Sequence, residues 1–269
     1  MRSSFTVILL LSVFSFAHSQ SNEAIQHYNQ GIDYLESGEY RLAIEELNQA
    51  ISIEGEYADA YVTRGVAFYR LNDNDRAIAD YIRAAGISPD NALTHNNLGL
   101  VYIGLNDNNR AIDEFTRVIG IDAENYGAYN SRGIAYYRLN DYSRAADDFS
   151  RAVELSPDFS PAYYNRGLAY GKLNENEKAI EDFNQVIKFN PNDMDAYYNR
   201  GNAYYNLSHY NQAAEDYTQV ININPDFSFA YDSRGNAHYN MAINDFNQAL
   251  ALNPNHTNAK SRLDILLGN

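Results

Sequence analysis

Residues 160–193 read SPAYYNRGLAYGKLNENEKAIEDFNQVIKFNPND, and residues 194–227 read MDAYYNRGNAYYNLSHYNQAAEDYTQVININPDF. Laid over each other they share an aromatic at place 4, Arg-Gly at 7 and 8, a tyrosine at 11, alanine at 20, a ring at 24, valine at 27 and proline at 32. The register extends outward in both directions. Gly31, Gly65, Gly99, Gly133, Gly167, Gly201 and Gly235 stand 34 residues apart, so the chain is an array of seven units beginning at residues 24, 58, 92, 126, 160, 194 and 228.

Places 4, 8 and 11 fall on one helical face, and 20, 24 and 27 on another, so each unit is expected to be a pair of helices. Place 20 is Ala43, Ala77, Ala111, Ala145, Ala179 and Ala213, and place 24 is Leu47, Tyr81, Phe115, Phe149, Phe183 and Tyr217. Five of six prolines (Pro89, Pro157, Pro191, Pro225, Pro254) stand at place 32, where they stop the second helix without harming its interior. Glycine at 8 and alanine at 20 let the two backbones approach. In the seventh unit Ala242 follows Gly235 by 7 residues instead of 12. Either its first helix ends early near Tyr239-Asn240 or the two helices fuse.

Composition excludes several functions. With 20 Lys plus Arg against 35 Asp plus Glu, the net charge of −15 argues against nucleic acid as a partner, which needs a basic face. The absence of cysteine excludes disulfides, thiolate metal sites and cysteine nucleophiles. No histidine has neighbours spaced for a metal or a catalytic triad, so neither enzyme activity nor a cofactor is expected. Residues 1–19 carry Arg2, an apolar run from Phe5 to Phe16 and Ala17-His18-Ser19, the pattern of a secretory signal peptide. The run is too short to span a bilayer. The mature chain, residues 20–269, is thus expected to be exported to the periplasm or secreted, with no membrane insertion after cleavage. Asn206-Leu207-Ser208 and Asn255-His256-Thr257 match the N-glycosylation pattern.

Place 7 is Arg64, Arg132, Arg166, Arg200 and Arg234 in five units, and place 23 is Asp80, Asp148, Asp182, Asp216 and Asp245 in the same five. The two units lacking the arginine have Glu46 and Glu114 instead. This pairing predicts a partly buried bridge between the helices of each unit. An anionic ligand on the arginines is the rival explanation.

The 34-residue period with these residues at 4, 8, 11, 20, 24, 27 and 32 resembles the tetratricopeptide repeat family over residues 24–256, with Tyr or His where Trp is typical at place 4 and Arg for Leu at place 7. The resemblance implies an all-α, right-handed superhelical solenoid of helix-turn-helix repeats whose first helices line a concave groove. Residues 257–267 read as an amphipathic helix covering the last repeat.

Groove candidates follow from the wheel. Place 6 carries a small hydrogen-bonding side chain throughout: Asn29, Thr63, Asn97, Ser131, Asn165, Asn199 and Ser233. Such a row can bond an extended peptide backbone, and it resembles the asparagine ladder of tetratricopeptide proteins that hold extended chains. Beside it lie apolar residues at place 9 (Ile32, Val66, Leu100, Ile134, Leu168), Tyr69, Tyr137, Tyr205 and Tyr239 at 12, and Tyr164 and Tyr198 at 5. Arg70, Arg138 and Lys172 form a basic edge. The alternative for the tyrosines is packing between neighbouring repeats. The family's carboxylate clamp for chaperone tails is not matched, since place 2 reads Asp59, Leu93, Gly127, Pro161, Asp195 and Phe229 from the second repeat on. The expected function is an adaptor or assembly factor holding a protein or peptide segment. A self-associating structural subunit, hence a homo-oligomer, and a holding chaperone for exported proteins are the alternatives.

Overall fold

The computed structural model describes residues 21–268. The signal peptide expected at residues 1–19 lies outside them. Fourteen helices occur among the described residues and follow the 34-residue register. One compact unit runs to Leu139 and holds α1 (Asn22–Glu36), α2 (Tyr40–Ile53), α3 (Ala58–Arg70), α4 (Asn74–Ile87), α5 (Ala92–Gly104), α6 (Asn108–Ile121) and α7 (Tyr126–Arg138). A second begins at Asn140 and holds α8 (Tyr142–Leu155), α9 (Ser160–Lys172), α10 (Asn176–Phe189), α11 (Met194–Asn206), α12 (Tyr210–Ile223), α13 (Ser228–Leu252) and α14 (Thr257–Leu267).

Each turn from a first to a second helix has one residue in the left-handed region. These are Gly38, Asn72, Asn106, Asn140, Asn174 and Ser208, all at place 15. Glycine and asparagine tolerate that conformation best, and there the helix closes with bonds such as the Asp73 N–H to the Phe68 carbonyl at 2.9 Å. In three of these turns the next residue, Asp73, Asp107 or Asp141, caps the following helix, as Asp107 does by accepting from the Arg110 N–H at 3.1 Å.

The repeat glycine is where the second helix lays its large side chain. A Cβ added at Gly99 would stand 2.7 Å from Phe115 Cε1 and Cζ, and one at Gly201 would stand 2.8 Å from Tyr217 Cε1. Phe115, Phe183 and Tyr217 are accordingly buried, with Ala111, Ala179 and Ala213 beside them.

The expected ion pairs form within the two units in three repeats. Arg200 donates from Nε and Nη2 to Asp216 at 2.8 and 2.6 Å, Arg166 to Asp182 at 2.9 and 2.7 Å, and Arg64 to Asp80 at 2.8 and 2.7 Å. The fork has a third arm that the sequence reading missed. Nη1 of Arg64, Arg166 and Arg200 donates to Asn48, Ser150 and Asn184 of the preceding repeat. One guanidinium thus ties three helices. Where place 7 is Gln30 or Leu98, a histidine at place 4 takes over: His27 and His95 Nδ1 lie 2.6 Å from Glu46 and Glu114.

The seventh repeat departs. Its helices are fused into α13, 25 residues long, which settles the alternative left open by the short spacing. The missing residues correspond to Leu207–Asn211 of the sixth repeat and include the left-handed place, so nothing reverses the chain. The predicted Arg234–Asp245 bridge is therefore corrected. Both residues lie on one helix about 16 Å apart at 1.5 Å rise per residue. The closing helix α14 is present, with Leu263 and Leu266 half-buried and Ile265 exposed.

Candidate functional site

Places 2, 6, 9 and 13 form a stripe along each first helix, because steps of four and three residues return to one face. In the first compact unit four places of this stripe are closed. Thr63 and Asn97 are each 4% exposed, and Val66 and Ile134 are buried as well. The expectation of an open amide row flanked by exposed apolar residues is corrected at those four places, while Ile32 and Leu100 stay half-buried. Thr63 spends its hydroxyl on the Asp59 carbonyl at 2.8 Å and also meets the Tyr28 phenol, whose pKa burial pushes up. Asn29 is exposed and Ser131 half-buried. Arg138 Nη1 donates to the Ile103 carbonyl at 2.6 Å, which makes it a tie between α5 and α7. Arg70 is exposed, and Tyr69 and Tyr137 are half-buried.

The second unit presents a different stripe. On α11 it runs Asp195, Asn199, Asn202, Asn206, exposed at both ends and half-buried at the centre. On α13 it runs Phe229, Ser233, Asn236, Asn240. On α9 the predicted Asn165 and Leu168 are half-buried, and Lys172 is exposed. Asn202 and Asn236 were missed as site residues. The signal was there: place 9 is apolar in five repeats and becomes asparagine in the last two.

The phenol and amide rows are tied to each other across repeats. Asn199 Nδ2 donates to Tyr164 Oη at 3.2 Å and to the Asp195 carbonyl at 2.7 Å. Tyr198 Oη and Ser233 Oγ are 3.4 Å apart, and Asn240 Nδ2 donates to Tyr205 Oη at 2.8 Å. Each pair is 35 residues apart, one repeat plus one place. The tyrosines also pack: Tyr198 lies 5.8 Å from the Tyr217 ring and 5.4 Å, edge-on, from Phe227. Tyr164, Tyr198 and Tyr205 thus hold neighbouring repeats in register while staying half-exposed.

What remains for a ligand is specific. The Asn199 amide has committed its nitrogen and keeps Oδ1 as an acceptor. Asn202 is the reverse. Its Oδ1 accepts from the Tyr217 hydroxyl at 2.9 Å, a phenol that burial keeps protonated, and its Nδ2 remains a donor. One acceptor and one donor on adjacent turns of α11 match the C=O and N–H of a peptide main chain.

Profiles described as tetratricopeptide repeat match residues 28–92, 92–125, 126–159, 149–181 and 195–227, and one described as TPR repeat matches 172–208. The chain belongs to the tetratricopeptide repeat family. Its fold is all-α and built of that family's helix-turn-helix repeats, and its class is the protein-protein interaction scaffold. No curated protein sequence matches the chain. Among solved structures it is similar to YrrB, described as a TPR protein with an unusual peptide-binding site, at 25% identity and TM-score 0.64 over 70% of this chain and 97% of that one. It is also similar to MamA, at 27% identity and TM-score 0.61 over 65% and 95%. A tetratricopeptide repeat protein from Parabacteroides merdae shares the fold over 92% of this chain and 100% of its own, at 20% identity and TM-score 0.66. Among the described residues, no helix is long and apolar enough to cross a membrane.

Proposed function

We propose that this chain is an exported, non-catalytic adaptor that holds an extended segment of a protein partner across α9, α11 and α13. The observation that carries the reading is the Asn199 and Asn202 pair. It presents one unspent acceptor and one unspent donor on a half-exposed face, framed by the Tyr164 and Tyr198 rings with Lys172 at the edge. Amides and phenols hydrogen-bond a main chain without favouring one sequence. YrrB, similar over most of this chain, is described as having a peptide-binding site, which supports the same use of the fold. Export rests on the signal-like residues 1–19.

Selection from a random extended-peptide library against the mature chain, followed by calorimetry, tests the reading. Asn199→Ala with Asn202→Ala removes two hydrogen bonds to a selected peptide of about 1 kcal/mol each and should weaken its binding about 30-fold, with a lower Tm because the buried Tyr217 hydroxyl and the Tyr164 phenol lose their partners. Unchanged affinity in that variant would refute the site.

A further inference from the structure

The seventh repeat keeps the residues of a helix pair and lacks the turn that would bring them together. In the sixth repeat Tyr217 fills the space over Gly201, with Ala213 and Val220 sealed beside it. In the seventh, Gly235 is exposed and a Cβ there would meet nothing within 4 Å, while Ala242, Phe246 and Ala249 at the matching places are only half-buried. The charges tell the same story. Arg234 keeps its third arm, Nη1 to Thr218 Oγ1 at 3.2 Å, and packs on the Tyr231 ring. Among the described residues its Nε and Nη2, which bind aspartate in Arg200 and Arg166, face no carboxylate, and Asp245 stands exposed without a cation. Apolar exposure is also heaviest at this end, with Leu252 at 79%, Ile265 at 73% and Phe229 at 65%.

We infer that a second copy of this chain completes the repeat: α13 of each copy lies antiparallel to α13 of the other, with Phe246 and Ala242 of one seated over Gly235 of its partner and Arg234 paired with the partner's Asp245. The arrangement is isologous, so each contact is made twice about a two-fold axis near Asn240. Loss of a hinge turn converts a hairpin into such an exchange without any new contact type, because both surfaces were already shaped for each other. The straight α13 is the form each copy contributes. The helix α14 follows the C-terminal half of α13 and folds back along it as far as Tyr239, whose Oη donates to the Leu266 carbonyl at 2.6 Å.

The test is the mass of the full chain by sedimentation equilibrium, in the wild type and three variants. Wild type should sediment at twice the monomer mass at micromolar concentration. A copy of Leu207–Asn211 inserted between Asn240 and Met241 restores the turn and should give a monomer of higher helix-pair stability. Arg234→Asp should weaken the dimer about tenfold, and Asp245→Arg in the same chain should restore it. Gly235→Ala, which improves the isolated helix, should nonetheless weaken the dimer by crowding the partner's Phe246. A wild type that stays monomeric at high micromolar concentration would overturn the inference. So would a dimer indifferent to both the insertion and the Arg234→Asp exchange.

Discussion

Replacing Arg200 by Leu leaves Asp216, 4% exposed, without the fork that accounts for its burial. Removing one member of a buried pair costs about 3–5 kcal/mol, because the remaining charge is stranded in a dry site. With about 2–4 °C per kcal/mol for a chain of this size, Tm should fall by roughly 6–20 °C. The structure also names the rescue. In the third repeat His95 pairs with Glu114 at 2.6 Å, and Leu98 takes the place of the arginine. Tyr197→His and Asp216→Glu, added to Arg200→Leu, rebuild that arrangement in the sixth repeat. The triple variant should recover at least about 2 kcal/mol, since the three places act as one coupled group. Urea unfolding followed by helical circular dichroism at neutral pH measures all the variants. If the triple variant is no more stable than Arg200→Leu alone, the two arrangements are not interchangeable and the reasoning fails.

Gly99→Ala should destabilise by about 1–2 kcal/mol in thermal melts, because the new methyl meets Phe115 at 2.7 Å and overpacking there outweighs the better helix propensity. Thr94 holds a buried hydroxyl with no partner, so Thr94→Val should raise stability by about 1 kcal/mol on the same assay. Asp107 is held below the usual carboxylate range by the Arg110 N–H and then by its guanidinium. A depressed acid adds stability above its unfolded value near 4 and loses it as pH falls through its lower folded value. The Tm gap between wild type and Asp107→Asn should therefore be open at pH 6 and close as pH falls through the lowered folded value.

The period and the pairing of places 8 and 24 were legible because they concern contacts within one repeat, which recur and therefore show as register. The Arg–Asp bridges were legible for the same reason. Exposure was not. Whether Thr63 or Asn199 is open depends on the helices of adjoining repeats, and place 6 is buried at Thr63 and Asn97 but exposed or half-buried in the other five repeats. The ties from Tyr164 to Asn199 and from Tyr205 to Asn240 span 35 residues, one place off the period, so a column-by-column reading passes over them. The third arm of the arginine fork hides likewise: place 25 is Asn48, Thr116, Ser150, Asn184 and Thr218 before the arginine repeats, but Ile82 before Leu98. For α13 the deciding detail was the missing left-handed residue at place 15, visible in the sequence only once its role in the other turns is known.

Site-specific photocrosslinking compares the two stripes most directly. A photoreactive side chain at Asn202, on the second unit's polar stripe, should capture a selected peptide, whereas one at Val66, buried at the same place in the first unit, should not. Capture at Val66 with none at Asn202 would contradict the assignment of binding to α11.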